Sequence, residues 1–215
     1  MTPRRLPRGL YLVTPDERDG ERLLARTLPL LPFASCVQLR AKEHDRDALL
    51  AAGQRLRAAC RRAQVAFIVN DDPHLARELD ADGVHLGGDD ASVGEARRIL
   101  GDAAIIGVSC YDDIARARQL AAEGADYLAF GAFFPSPTKP HARRATIALL
   151  RESASLGLPR VAIGGITPDN AQPLVASGAD LIAVISGVFD APDPEGAARA
   201  CRALFQDHAI EAPTP

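Results

Sequence analysis

The stretch "LVASGADLIAV", residues 174–184, joins the end of a predicted helix to an apolar strand through a short turn at Gly178. Two other stretches repeat this order: "LAAEGADYLAF" at residues 120–130 and "LARELDADGVHL" at residues 75–86. A glycine at this place stops a helix, because it adopts the left-handed conformation of a helix terminus without strain. The repeats predict a chain that alternates helices and strands, although their spacing is too irregular for a solenoid.

Working outward from these stretches, short apolar runs recur along the chain with helical segments between them. Continuous apolar runs are typical of strands in a parallel sheet that is covered by helices on both faces. Eight strands are predicted: Gly9–Thr14, Cys36–Arg40, Ala66–Asn70, Gly83–Gly87, Ile105–Ser109, Tyr127–Phe133, Arg160–Gly165 and Leu181–Ser186.

The intervening segments carry helix signals. Apolar residues recur at helical spacing over Asp45–Arg62. Farther on, Thr167 is placed to cap a helix, with Pro168 in its first turn and Gly178 as its stop. Alternation of strand and helix eight times predicts an α/β fold, a closed (β/α)8 TIM barrel, with a doubly wound open sheet as the alternative. We expect a single domain over residues 1–215, with a core at 9–208 and a loose C-terminal tail at 209–215.

Composition excludes several classes of protein. The 215 residues are 47% hydrophobic and 25% charged, which is typical of a globular chain. The formal net charge of -3 gives no sign of the basic surface that binds nucleic acid. No apolar stretch reaches the roughly 18 residues of a membrane span. Four widely spaced cysteines predict reduced, buried thiols. We therefore expect a cytoplasmic protein without nucleic-acid or membrane partners.

Polar residues collect where the predicted strands end. In a barrel these ends meet at one mouth, where the chemistry of TIM-barrel enzymes takes place. Any one of these residues alone would more often be a helix cap or a solvated side chain. Their repetition at nearly every strand end favours a functional site. The residues are Thr14, Gln38, Arg40, Lys42, Asn70, Asp71, Asp72, Asp89, Asp90, Ser109, Ser136, Thr138, Lys139, Gly164, Gly165 and Ser186.

The motif "VQLRAK", residues 37–42, predicts an anion site. Strand alternation places Gln38 and Arg40 on one side, and Lys42 continues that side beyond the strand. An arginine fork beside a lysine charge suits a phosphate or diphosphate.

The motifs "IVNDDPHL" and "VHLGGDDASV" end neighbouring strands in carboxylates. Two such acids beside a diphosphate are typical of a Mg²⁺ site, in which the ion keeps several waters. Asp71 and Asp90 are the candidate ligands. The adjacent Asp72 and Asp89 are expected to cap helices or face solvent, and a competing interpretation makes all four acids helix caps.

The motifs "AIGGI" and "AVISG" place Gly164, Gly165 and Ser186 at the ends of the last two strands. Barrels often bind a phosphate at this place through backbone N–H groups, and glycine lets the backbone approach closely.

At this point the motifs match a known family. The chain resembles thiamine phosphate synthase from about Gly9 to Phe189. The motifs in the family's order are "LYLVT", "VQLRAK", "IVNDD", "DGVHLGGDD", "IIGVS", "FFPSPTK", "VAIGGI" and "AVISG". The resemblance implies that the chain joins hydroxymethylpyrimidine diphosphate to hydroxyethylthiazole phosphate, giving thiamine phosphate and diphosphate, with Mg²⁺ as cofactor. The substrates are then its partners, and a homo-oligomer is neither required nor excluded.

Carried over by position, the resemblance implies a role for each motif residue. The pyrimidine diphosphate would contact Gln38, Leu39, Arg40, Ala41, Lys42, Asn70, Ser109 and Lys139. Arg40, Lys42, Ser109 and Lys139 would be the catalytic residues among them, and Asp71 and Asp90 would hold the metal. The thiazole phosphate would contact Ser136, Pro137, Thr138, Gly164, Gly165, Ile185 and Ser186. Many relatives have threonine where this chain has Ser136, so a hydroxyl is retained.

The segment "GAFFPSPTKP", residues 131–140, is predicted to lie between the two substrates. Pro135 and Pro137 would stiffen it, while the Ser136 and Thr138 hydroxyls serve one phosphate and Lys139 the other. The competing interpretation is a rigid surface turn.

Two alternative functions stay open at this stage. One is a thiazole tautomerase of the same superfamily, which would need neither the paired acids nor three cations. The other is a non-catalytic protein that binds thiamine precursors. Among the histidines, His85 is predicted to be a packed, hydrogen-bonded interior residue, and His44 and His74 have no assigned role.

Overall fold

The computed structural model describes residues 6–40, 46–135 and 144–206. Its strands form a closed parallel barrel in chain order, in which the last strand pairs with the first. The predicted TIM barrel is confirmed, and the open sheet is excluded. The strands are β1 (Gly9–Val13), β2 (Ala34–Leu39), β3 (Ala66–Asn70), β4 (Gly83–Leu86), β5 (Ile105–Tyr111), β6 (Tyr127–Phe130), β7 (Arg160–Ile163) and β8 (Leu181–Val184).

Helices follow the strands on the outside of the barrel. They are α1 (Gly20–Thr27), α2 (Arg46–Ala63), α3 (Pro73–Glu78), α4 (Val93–Leu100), α5 (Ile114–Ala122), α6 (Ile147–Glu152), α7 (Gln172–Ala176), α8 (Ser186–Phe189) and α9 (Pro194–Ala203), with 3₁₀ turns at Leu28–Phe33 and Ser153–Leu156. Several begin at an aspartate or serine whose oxygen accepts from the first-turn amides, as Asp19 does for α1 and Ser92 for α4. No helix of the described ranges is long and apolar enough to cross a membrane.

Alternation along each strand divides the apolar residues into two cores. In β1, Leu10 and Leu12 point outward and pack under the helices, whereas Tyr11 and Val13 point into the barrel. The barrel interior therefore has its own cluster, which includes Tyr11, Cys36, Ile68, Tyr127, Val161 and Leu181. Because two of its members are tyrosines, the interior contains hydroxyl groups that require partners.

A recurring contact, which we call the aspartate clasp, joins neighbouring strands at the amino end of the barrel. Asp126, directly before β6, donates its backbone N–H to the Ile106 carbonyl oxygen at 2.7 Å. Its Oδ2 accepts from the Ile106 N–H at 2.7 Å and from Arg97 Nη2 at 2.8 Å. The carboxylate thus ties β5, β6 and α4 together.

The same clasp occurs before β4 and β8. Asp82 and Asp180 occupy the position of Asp126, and each exchanges two hydrogen bonds with the preceding strand. Asp82 pairs with Phe67 and Arg57, and Asp180 pairs with the backbone and side chain of Arg160. These three aspartates belong to the three stretches of sequence that echo one another, so the echo reflects a shared contact.

The structure corrects one helix prediction. Pro168 does not begin a helix, because residues 168–170 form a turn and α7 starts at Gln172. The Asn170 side chain closes this turn, accepting from the Thr167 N–H at 2.9 Å and donating to the Gly165 carbonyl oxygen at 3.0 Å. Gly178 does stop the helix, with φ +99°.

Other boundaries are close to prediction. Strand β6 ends at Phe130 rather than Phe133, and β8 ends at Val184 before α8 begins at Ser186. The helix predicted over Asp45–Arg62 is observed over Arg46–Ala63, with Asp45 outside the described residues. The 207–215 segment, which includes the predicted tail, also lies outside them.

Candidate active site

A cavity of about 530 Å³ opens at the carboxyl ends of the strands. It brings together residues that are up to 173 positions apart, since Val13 and Ser186 both line it. The predicted site residues in its wall are Gln38, Arg40, Asn70, Asp71, Ser109, Gly164, Gly165, Ile185 and Ser186.

A continuous chain of hydrogen bonds crosses the cavity floor. We call it the polar chain, and its members in order are Asn70, Gln38, Tyr11, Tyr127, His85 and Ser109. Gln38 Nε2 donates to Asn70 Oδ1, and the Tyr11 hydroxyl donates to Gln38 Oε1 at 3.0 Å. The hydroxyl oxygens of Tyr11 and Tyr127 are 2.8 Å apart.

His85 continues the polar chain to the opposite wall. Its Nδ1 lies 2.9 Å from the Tyr127 hydroxyl, and its Nε2 lies 3.0 Å from Ser109 Oγ. The imidazole also stacks on the Tyr127 ring with centroids 5.6 Å apart. The predicted hydrogen-bonded interior position of His85 is confirmed, but the ring also lines the cavity, which strand alternation alone did not indicate.

Burial keeps the two interior tyrosines neutral. Desolvation raises the pKa of Tyr11 and of Tyr127 well above the ordinary value of 10.0. Each hydroxyl therefore retains its proton, so each can donate one hydrogen bond while accepting another.

Arg40 is the described cation of the predicted anion site. Thr14 fixes the backbone of Arg40 through two hydrogen bonds. Thr14 Oγ1 accepts from the Arg40 N–H at 2.9 Å and donates to the Arg40 carbonyl oxygen at 3.3 Å. Its guanidinium lies 3.9 Å from Asp16 Oδ2 and lines the cavity. The buried Thr14, which ends the first predicted strand, thus positions the arginine.

The four candidate acids separate into distinct roles. Asp72 caps α3, with Oδ1 accepting from the N–H groups of His74 and Leu75 at 2.8 and 3.0 Å, as predicted. Asp71 lines the cavity and holds a left-handed conformation with φ +66°, while its N–H donates to the His85 carbonyl oxygen at 2.8 Å.

Asp90 lies on the next loop. Its Oδ2 accepts from the N–H of Gly87, which lines the cavity, at 2.6 Å. Asp90 itself is exposed, like Asp89, and is not among the residues that line the cavity. Among the described residues, no three His, Cys, Asp or Glu side chains converge as they would in an all-protein metal cage. The two candidate carboxylates lie on the loops that follow β3 and β4.

Two side chains, Tyr111 at the end of β5 and Arg116 near the start of α5, hold the loop of Asp90. The Tyr111 hydroxyl accepts from the Gly88 N–H at 2.9 Å, and Arg116 Nη2 donates to the Gly87 carbonyl oxygen at 3.4 Å. Arg116 Nε also donates to the Ser109 carbonyl oxygen at 2.9 Å. Arg116 was hidden in the sequence because it lies on helix α5 rather than at a strand end.

The opposite wall is built by close backbone approach. Gly164 has φ +104°, and a Cβ built on it would lie 2.4 Å from the Ala132 Cβ. Gly165 has φ +62°, and its Cβ would lie 2.3 Å from the Pro135 carbonyl oxygen. Only glycine fits both positions without displacement of the backbone. Ile185 and Ser186 complete this wall.

Some predicted site residues are not in the cavity wall of the described structure. Leu39 points outward and packs against α2, where its Cδ2 lies 3.3 Å from a Cβ built on Gly53. His74 is exposed. Seven further positions lie outside the described residues: Ala41, Lys42, His44, Ser136, Pro137, Thr138 and Lys139.

Comparisons with known proteins match this chain to one family of enzymes. A family model described as thiamine monophosphate synthase matches residues 10–188. The thiamine-phosphate synthase of Xanthomonas campestris pv. campestris (strain 8004) is 60% identical over 198 residues, which cover 92% of this chain and 96% of the relative. The thiamine-phosphate synthase of Azoarcus sp. (strain BH72) is 55% identical over 202 residues, covering 92% of this chain and 97% of the relative.

A solved structure gives the same result. The thiamine phosphate pyrophosphorylase from Pyrococcus furiosus superposes with a TM-score of 0.82 at 33% sequence identity. The superposition covers 93% of this chain and 96% of that one. Sequence and structure comparisons therefore extend over nearly the whole barrel.

Proposed function

This chain belongs to the thiamine monophosphate synthase family, and from that premise we propose that it couples hydroxymethylpyrimidine diphosphate with hydroxyethylthiazole phosphate. The products are thiamine phosphate and diphosphate, and the enzyme is a transferase. The observation that carries the proposal is that one cavity is lined both by the charged residues Arg40 and Asp71 and by the glycines Gly164 and Gly165. A site that must hold two phosphorylated substrates together needs both sets of residues.

The cationic wall suits the pyrimidine diphosphate. Arg40 offers a planar fork for phosphate oxygens, and Lys42 and Lys139 are proposed to add point charges. Gln38, Asn70 and Ser109 would contact the ring. The glycine wall suits the thiazole phosphate, where backbone N–H groups near Gly164 and Gly165 can approach oxygens closely, together with Ser136, Pro137, Thr138, Ile185 and Ser186.

The donor set fits Mg²⁺. Asp71, in the cavity wall, and Asp90, on the loop that follows β4, would supply carboxylate oxygens, the ligands that a hard divalent cation prefers. Two protein carboxylates leave positions for water and for diphosphate oxygens. When bound there, Mg²⁺ would neutralise charge on the leaving diphosphate.

The reaction breaks the bond between the pyrimidine methylene carbon and the diphosphate oxygen, and the thiazole nitrogen forms the new bond to that carbon. The electron-rich aminopyrimidine stabilises positive charge at the methylene group. Arg40 and the lysines would stabilise the negative charge that grows on the departing oxygens.

A covalent route through the nearby cysteine is not supported. Cys110 is buried, and desolvation raises the pKa of its thiol to about 12. A thiolate nucleophile is therefore absent at neutral pH. The reduced state of the four buried thiols fits the cytoplasm, where we place the reaction.

The decisive experiment mixes both precursors with the purified protein, with and without Mg²⁺, and measures thiamine phosphate and diphosphate. We expect product only with Mg²⁺. Arg40→Ala, Asp71→Ala and Lys139→Ala should each lose about 10²–10³-fold in turnover while circular dichroism stays unchanged.

The adjacent acids provide a matched control. Asp90→Ala should lose turnover, whereas Asp89→Ala, which removes an exposed carboxylate one residue away, should not. Isomerisation of a thiazole phosphate without coupling would instead support a tautomerase, and tight binding of both precursors without product would support a non-catalytic binding protein.

A further inference from the structure

The polar chain has a direction that can be followed from one end to the other. At its first end the two amides set this direction, because Gln38 Nε2 donates to Asn70 Oδ1 and Gln38 Oε1 accepts from the Tyr11 hydroxyl. The single proton of the neutral Tyr11 hydroxyl is thus committed to Gln38.

The next two links follow by counting protons. Since Tyr11 has no proton left to donate, the 2.8 Å contact between the hydroxyls requires Tyr127 to donate to Tyr11. The Tyr127 oxygen must then accept from His85 Nδ1 across 2.9 Å.

We propose that His85 is a neutral imidazole whose single proton this order holds on Nδ1, and that Tyr11 and Tyr127 are positioning residues which set that tautomer. His85 Nε2 is then an acceptor, and Ser109 Oγ donates to it across 3.0 Å. With its proton committed to His85, the Ser109 oxygen presents lone pairs to the cavity that it lines.

The consequence is a rule for ligand recognition. The Ser109 end of the polar chain presents an acceptor, whereas the Asn70 end presents the N–H donors of its amide beside an Oδ1 that already accepts from Gln38. The ligand ring that best matches the floor therefore carries a donor toward Ser109 and an acceptor toward Asn70. Resting on the proposed function, an aminopyrimidine supplies both.

The first test does not depend on activity. The intact protein is labelled with ¹⁵N-histidine, and the ring nitrogens of His85 are assigned by comparison with a His85→Gln variant. At neutral pH we expect one protonated and one unprotonated ring nitrogen, with the proton on Nδ1. A proton on Nε2, or protons on both nitrogens, would overturn the proposal.

The second test changes a residue that makes no hydrogen bond to His85 in the polar chain. In Tyr11→Phe, the Tyr127 hydroxyl loses its acceptor and turns its proton toward His85 Nδ1. We then expect the tautomer to reverse, with the proton on Nε2. In Tyr127→Phe, Nδ1 loses its partner, and we expect a mixture of the two tautomers.

Tyr111→Phe is the matched control. It also removes one tyrosine hydroxyl at the cavity, but from the Gly88 contact outside the polar chain. The His85 tautomer should be unchanged in this variant. A tautomer that stays on Nδ1 in folded Tyr11→Phe and Tyr127→Phe would show that the tyrosines are only structural.

Activity provides a third readout, which rests on the proposed function. Tyr11→Phe should lower kcat/KM for the pyrimidine diphosphate by about tenfold, the size expected for one misdirected hydrogen bond, with no change in KM for the thiazole phosphate. If the protein does not make thiamine phosphate, the tautomer measurements still decide the proposal.

Discussion

At the scale of single residues, the packing of the barrel interior depends on Gly107, which has no side chain. A Cβ built on Gly107 would lie 1.8 Å from the Cζ of Tyr127. The glycine therefore makes room for the ring whose hydroxyl stands in the middle of the polar chain.

Substitution of this glycine should be costly. We expect Gly107→Ala to lower the free energy of unfolding by about 3 kcal/mol, because overpacking displaces a buried aromatic ring. Gly94→Ala, where a Cβ meets nothing within 4 Å, should raise stability by about 0.5 kcal/mol through helix propensity. Urea unfolding of both variants measures the difference, and equal effects would contradict the overpacking argument.

The buried thiols predict alkaline sensitivity. Burial raises the pKa of Cys60, Cys110 and Cys201 from 9.0 to about 12. In the unfolded chain these thiols lose their protons near pH 9, so between pH 9 and 12 the native state binds more protons than the unfolded state. Stability is therefore fully present below pH 9 and falls as the pH rises.

We expect a slope of up to about 1.4 kcal/mol per pH unit for each thiol. The free energy of unfolding, measured in urea at pH 8, 9.5 and 10.5, tests this. The Cys201→Ala variant should lose the contribution of one thiol to the slope. A flat profile would mean that the native thiols ionise at their ordinary pKa.

Which site residues could be predicted from the sequence depended on where they lie. Gln38, Arg40, Asn70, Asp71 and Ser109 end strands, so the geometry of a parallel barrel collects them. The roles of Tyr11 and Tyr127 could not be predicted, because the sequence pattern assigns an aromatic residue inside an apolar strand to the hydrophobic core. Their hydroxyls meet only when the barrel closes and brings together residues 116 positions apart.

At the scale of helices and strands, the aspartate clasp explains why the stretches of sequence echo one another. The aspartate before β4, β6 or β8 accepts from a backbone N–H of the neighbouring strand at the amino end of the barrel. Sequence patterning predicted the alternation of elements correctly but not the start of α7. There the side chain of Asn170 competes with a helix cap and closes a turn instead.

Removal of a clasp should destabilise the barrel without altering its chemistry. We expect Asp126→Ala to cost about 2–3 kcal/mol, since the Ile106 N–H and Arg97 lose a charged acceptor. Glu152→Ala removes a surface carboxylate, 49% exposed, that pairs with Arg118, and should cost less than about 0.5 kcal/mol. Thermal unfolding compares the two, and turnover per folded molecule should stay unchanged in both.

At the scale of the whole molecule, contacts that stabilise the barrel lie at one end and the candidate site lies at the other. The clasps lie at the amino end, and the cavity lies at the carboxyl end. Residues from each of the strands β1 to β7 line the cavity, so a ligand that binds there should stabilise the barrel as a unit.

We therefore expect diphosphate with Mg²⁺, each at about 100 times its Kd, to raise Tm by about 5–10 °C. Diphosphate with EDTA should raise it by much less. Scanning calorimetry of the wild type and of Asp71→Ala measures both effects. An equal rise in the two proteins would contradict the assigned metal ligand.

The continuity of the polar chain also constrains how the protein can evolve. A substitution at one member leaves its neighbours with protons that have no acceptor, or with lone pairs that have no donor. Drift at these positions should therefore be concerted, so that homologous barrels keep the whole set or exchange several members at once. Ancestral intermediates that carry a single replacement should be the rarest of all.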